Sequence, residues 1–245
     1  MNGHPSFANP QIREALCEVH FVLPKDTGWE PAIFGRFYRH IQDDFPEMEP
    51  VAETAMRLQL QPGKVEFMQG QNRMRYKHKS RNLFLQLAAG VLTVNVLDEY
   101  PGWQVMKEDI HRAWAWAEEV VRPIGINRIG LRYINFVPRT EPAERPIDWF
   151  SPNDYVARMA MDSLPGVLSR VEVHTDINRR SIVTMSEAND EDRSYFVLDI
   201  DCIAERLSET LPIDATIEQL HDSAWNIFAS FIGPRLRRVL EGDGA

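Results

Sequence analysis

The sequence predicts an α+β fold: two tandem β-α-β(n)-α repeats that build a curved, mainly antiparallel sheet with its helices on one face. Three observations carry that expectation. Segments with period-two alternation of apolar and polar residues come in runs, as half-buried strands do. Two long stretches with helical periodicity each close such a run. Midway along the chain the order strand, helix, strands, helix starts again.

The first half is read in order. In "EALCEVHFVL" (Glu14–Leu23) the residues Ala15, Cys17, Val19, Phe21 and Leu23 share one face, which predicts a strand. In "EPAIFGRFYRHIQDDFP" the residues Ile33, Phe37 and Ile41 recur at four, with Phe34, Tyr38 and Phe45 beside them, so a helix is expected to end at Pro46. Strands follow near 53–60, 64–69, 72–79, 82–87 and 91–97, with "QGQN" as a hairpin turn and "AAG" dividing the last two. "VMKEDIHRAWAWAEEVV" then places Met106, Ile110, Trp114, Ala117 and Val121 on one helical stripe, ended before Pro123.

The second half repeats this plan with fewer strands. "LRYINFV" (Leu131–Val137) aligns with "LCEVHFV" (Leu16–Val22), which makes Leu131, Phe136 and Val137 core residues. "PRTEPAERPID" is the loop that follows. "DWFSPNDYVARMAMDSLP" is expected to be a helix, and "LSRVEVHTDI", "RRSIVTMSEA" and "SYFVLDIDCI" to be strands. "IEQLHDSAWNIFASFIGP" aligns without gaps with the Trp114 helix, pairing Trp114 with Trp225 and Pro123 with Pro234. The halves are thus 1–124 and 125–245, joined edge to edge into one continuous sheet so that two vulnerable edges are hidden. This plan resembles the helix-grip and TATA-binding-protein-like folds, a likeness of fold that carries no function.

Composition narrows the chemistry. Apolar residues are 44% and charged residues 26% of the 245, enough for a core and ordinary for a globular protein. A net charge of −9 repels nucleic acid and acidic membranes, so anion binding needs a local basic patch. Two cysteines, Cys17 and Cys202, without a CxxC or a His/Cys cluster, argue against a disulfide framework or structural zinc and for a cytoplasmic setting. No basic-then-apolar leader pattern opens the chain, and no apolar run approaches the ~20 residues of a membrane span. Phosphate-binding glycine loops and the Gly-x-Ser-x-Gly elbow are absent, so no cofactor is implied and catalysis is disfavoured.

Four features remain. Arg73, Arg75, Lys77 and Lys79 alternate onto one strand face, with Arg81 beyond, and offer a positive stripe to a phosphate backbone or an acidic protein. Arg128, Arg132, Tyr133 and Asn135 offer polar groups at the seam between the halves, either lining a pocket for an anionic ligand or tying the halves together. The ExH pairs Glu18/His20 and Glu172/His174 set a carboxylate and an imidazole on one strand face, as do the carboxylates Asp199 and Asp201; a solvated strand face is the preferred reading over a metal site. Trp116 falls off the Trp114 stripe and Trp103 lies near a helix start, and both are candidates for an interface.

The segment Asn9, Pro10, Ile12, Glu14, Ala15 (N-P-x-I-x-E-A) and the run Arg128–Asn135 (R-I-G-L-R-Y-I-N) resemble a sporadically distributed bacterial family of uncharacterised proteins. The resemblance spans nearly the whole chain and implies no reaction. Its patchy distribution associates it with mobile-element, toxin–antitoxin and phage-defence genes. The expectation is therefore a non-catalytic binding or interaction protein with a protein partner and no membrane. The alternative is a binder of small anions, or an enzyme, using a pocket at the seam.

Overall fold

Strand β1 (Ile12–Val22) lies near the middle of the sheet because its alternation leaves one face for the core. Ala15, Cys17, Val19 and Phe21 are all but inaccessible, while Glu14, Leu16, Glu18 and His20 face the other way. In this computed structural model, residues 4–25, 28–57, 66–141, 143–163, 166–190, 193–206 and 213–243 are described.

The first half continues with α1 (Ala32–Ile41), β2 (Glu47–Arg57), β3 (Glu66–Lys77), β4 (Leu83–Ala88), β5 (Val91–Leu97) and α2 (Trp103–Val121). The second contains β6 (Gly125–Arg139), the single-turn helices α3 (Pro146–Trp149) and α4 (Arg158–Met161), β7 (Ser169–His174), β8 (Arg179–Asp190), β9 (Arg193–Glu205), α5 (Ile213–Phe231) and α6 (Pro234–Glu241). All nine strands form one sheet in the order β2-β3-β4-β5-β1-β6-β9-β8-β7, every neighbouring pair antiparallel. β1 and β6 pair with each other, so the halves meet strand to strand.

One core joins the apolar strand face to the helices. It holds Phe37 of α1, Ile110 and Trp114 of α2, and Ile217 and Phe231 of α5. Each such side chain contributes about 1.5–3 kcal/mol by leaving water. Tyr76 of β3 is fully buried, with its hydroxyl donating to the Phe34 carbonyl at 3.0 Å, which locks α1 onto the sheet.

Three expectations need correction. "QGQN" is not a turn: β3 runs through it, and the pairing with β2 slips between Ala52/Asn72 and Thr54/Gln69. Gly70 and Gln71 thus oppose Glu53 alone, so the glycine marks a bulge. The connection from β2 to β3 lies at 58–65, outside the described residues.

The segment 148–165 is not one helix. Asn153 Oδ1 accepts the N–H groups of Tyr155 and Val156 at 2.9 and 3.2 Å, a side-chain turn that follows Pro152 and competes with helix. Phe150 instead bridges to Ile232 in the sheet manner.

The two alignments are each out of step by one residue. Leu131 and Val137 are buried, whereas their expected counterparts Leu16 and Val22 face away from the core, and Phe136 is only half-buried. Aligned from their first residues, α2 and α5 bury matching positions: Met106/Thr216, Ile110/Leu220, Trp114/Ala224, Ala117/Ile227 and Val121/Phe231. Trp114 therefore matches Ala224, not Trp225.

Candidate functional site

The mismatch of Trp114 with Ala224 has a spatial consequence. Trp114 fills its place in the first half, packed against Phe21 at 6.0 Å between ring centroids. Ala224 fills almost nothing, and beside it lies a cavity of about 350 Å³. That volume suits a ligand at the small end of the usual range.

Five elements build the walls. The turn Tyr100–Gly102 swings the chain from β5 into α2; Gly102 has φ +93°, which a side chain would oppose, and it sets Trp103 at the mouth. α5 contributes His221, Ala224, Trp225 and Phe228, and β6 contributes Tyr133 and Asn135. Leu240 comes from α6. The segment from His4 to Ile12 folds over the opening, held by Asn9, which donates from its backbone to the Leu240 carbonyl and from its side chain to the Val239 carbonyl.

The rings are fixed by one another. His221 stacks on Trp103 at 4.1 Å, and His4 on Trp225 at 5.0 Å. Trp103 donates its indole N–H to Glu218 at 3.1 Å, and Lys107 pairs with the same carboxylate. Phe7 lies 5.8 Å from Trp225.

At the floor the Tyr133 hydroxyl lies 3.2 Å from Nδ1 of His221 and 3.4 Å from the Tyr100 hydroxyl. Burial drives the Tyr133 phenol well above its usual range and lifts Tyr100 to about 12, so both stay protonated. Burial, with His4 nearby, pulls His221 down to about 4, so it is neutral at neutral pH. Asn135, 2% exposed, donates its amide to the Leu198 carbonyl at 3.1 Å; its Oδ1 has no hydrogen bond among the described residues. No Asp, Glu, Lys or Arg among the described residues lines the cavity.

The four seam residues expected from sequence are thus split. Tyr133 and Asn135 line the cavity, but Arg128 and Arg132 have the opposite parity and lie across the sheet. Arg132 grips Asp199 through two bonds of 2.8 and 2.6 Å, tying β6 to β9. Arg128 donates to Glu18 at 3.2 Å and lies 2.6 Å from Nε2 of His20, tying β6 to β1. Gly130 lets it lie there, since a Cβ at that position would come within 3.2 Å of the guanidinium.

Arg128 thus touches both members of the Glu18/His20 pair, whose own atoms are 3.4 Å apart. The hydrogen bond from His20 and the neighbouring Arg128 hold Glu18 down at about 2, against its burial. Arg180 does the same for Glu172, at 2.8 Å, in the other ExH pair. Among the described residues no three ligating groups gather for a metal.

The basic stripe is matched by acids. Arg75 pairs with Glu49, Lys77 with Glu47 at 3.7 Å and Lys79 with Asp44 at 2.9 Å, while Arg73 lies 3.5 Å from Glu18 and donates to Thr93 at 3.1 Å. Arg81 holds the buried Asp109 through bonds of 2.8 and 2.9 Å. Glu47 and Glu49 stand opposite Lys77 and Arg75 in the register of β2 and β3, a cross-strand ladder that leaves little net positive charge for phosphates.

Sequence reasoning missed His221, Tyr100, Phe7 and Trp225 as site residues. Only Trp103 carried a signal, its position near a helix start. Searches of family models and of curated proteins find no match to this chain.

Proposed function

We propose that this chain is a non-catalytic binding protein of the cytoplasm that seats a small molecule in the cavity beside Ala224. The observation that carries this reading is the cavity itself: aromatic walls, no Asp, Glu, Lys or Arg among the described lining residues, and polar atoms of Tyr133, Asn135 and His221 at the floor. Nothing there is activated. The tyrosines are held protonated, and burial lifts the Cys17 and Cys202 thiols to about 12 and 11. The anionic ligand expected from Arg128 and Arg132 loses its support, because both arginines lie on the other face and hold Glu18 and Asp199.

The structural class is α+β with a nine-stranded antiparallel sheet. We propose that its halves derive from one unit. The strand orders β1-β5-β4-β3-β2 and β6-β9-β8-β7, running outward from the centre, support this, as do the matched burial positions of α2 and α5. No helix among the described residues is long and apolar enough to cross a membrane. Ligand sensing within a toxin–antitoxin or phage-defence locus is the setting that the bacterial resemblance implies.

The test is Ala224→Trp, which copies the residue found in the first half. Wild type is expected to be stabilised against heat by members of a library of neutral aromatic compounds, since a ligand that binds only the folded state raises the melting temperature. The variant should fold and respond to none of them. Equal responses in both proteins would place binding elsewhere.

A second reading, docking of a protein partner, is favoured by the apolar side chains around the edge strand β7. Leu168 is 75% and Ile177 81% exposed. Replacing both with Asp should release a co-purifying partner, and unchanged recovery would dismiss that surface.

A further inference from the structure

Resting on the cavity reading, we infer the class of ligand: an uncharged planar molecule whose edge carries a primary amide, or an equivalent adjacent donor and acceptor. Three features lead there. The walls present Trp103, Trp225 and Phe228, which reward flat apolar faces. No Asp, Glu, Lys or Arg among the described residues lines the cavity, so a carboxylate or phosphate would be desolvated with no lysine or arginine to pair with. His4, itself a lining residue, is already engaged with Asp222 at 2.7 Å, and Lys107 beside Trp103 is engaged with Glu218.

The floor sets the edge. Asn135 Oδ1 has no hydrogen bond among the described residues while its amide nitrogen is spent on Leu198, so this lining residue has an acceptor to offer a ligand donor. His221 is neutral, with Nδ1 against the Tyr133 hydroxyl. With Tyr100 donating to Tyr133, and Tyr133 giving its one hydroxyl proton to Nδ1, the ring proton sits on Nε2, which has no partner among the described residues and offers a donor to a ligand acceptor. A ligand NH on Asn135 and a ligand C=O on His221 would satisfy both groups at once.

The experiment uses three probes of similar shape: indole, indole-3-acetamide and indole-3-acetate, titrated calorimetrically into the full chain at pH 7. The acetamide is expected to bind at least about tenfold more tightly than either other probe, because each of those leaves a buried polar group unpaired. His221→Phe, which keeps a ring against Trp103, should erase most of that preference. Acetate binding as well as acetamide, or an unchanged preference in the variant, would overturn the ligand class while leaving the cavity in place. Failure of all three probes, or binding that survives Ala224→Trp, would instead overturn the cavity reading.

Discussion

Acidification should weaken this protein through His221 before the lowered carboxylates Glu18 and Glu144 take part. The imidazole is held at about 4 against an ordinary 6.5, so the unfolded chain takes up the proton first. Its contribution is complete above pH 6.5 and is lost as pH falls toward 4. The whole shift corresponds to about 3 kcal/mol, of which about 2 would be gone by pH 5; partial exposure reduces that to about 1. Groups facing the ring are Tyr133 from β6, His4 from the N-terminal segment, and Glu218 and Asp222 on α5. Glu18 and Glu144, both held at about 2, lose their contributions only as pH falls from 4.5 toward 2, outside this window. The assay is urea unfolding at pH 7 and pH 5 for wild type and His221→Phe. Wild type should lose about 1 kcal/mol more than the variant between the two pH values. His78, also held low by burial, is common to both proteins and cancels. Parallel losses would show that His221 is not held neutral and would remove the donor assigned to Nε2.

Other expectations follow from single contacts. Asp109→Ala strands the Arg81 guanidinium beside a buried site and should cost about 2–3 kcal/mol by chemical denaturation. Gly233→Ala places a Cβ 2.5 Å from the Trp149 carbonyl oxygen, where backbone must move, so a loss of about 1–3 kcal/mol is expected; a neutral result would mean that the start of α6 shifts freely. Arg75→Glu with Lys77→Glu turns two exposed ion pairs into like-charge pairs across β2 and β3 and removes the Arg75 guanidinium from the Phe84 ring, so it should cost about 1–2 kcal/mol. Wild type should show no salt-dependent retention of duplex DNA at physiological salt, and steep dependence that this double variant abolishes would restore the stripe as a nucleic-acid surface.

Much of the fold was legible because periodicity reports burial directly. β1, α1, α2 and the three strands of the second half all follow from alternation or four-residue spacing. Gly70 misled because a glycine within strand pattern can mark a turn or a bulge, and only the register on β2 decides. The segment 148–165 misled because apolar spacing there competes with an asparagine turn that binds its own backbone. The split of the seam residues was available from parity alone: 128 and 132 are even, 133 and 135 odd, and a strand sends them to opposite faces. The cavity was not available. It depends on an alanine in one helix, a glycine turn before another, and an N-terminal segment that returns to α6, none of which has a local signature.

The central claim is that a ligand sits among Trp103, Trp225 and Asn135. Nitrogen–proton correlation spectra of the labelled protein resolve the indole N–H signals of Trp103 and Trp225 and the side-chain amide of Asn135. Titration with indole-3-acetamide should shift these three together, with one saturation curve, while the indole signal of Trp116 stays in place. Shifts confined to other residues, or none at saturating concentration, would contradict the account.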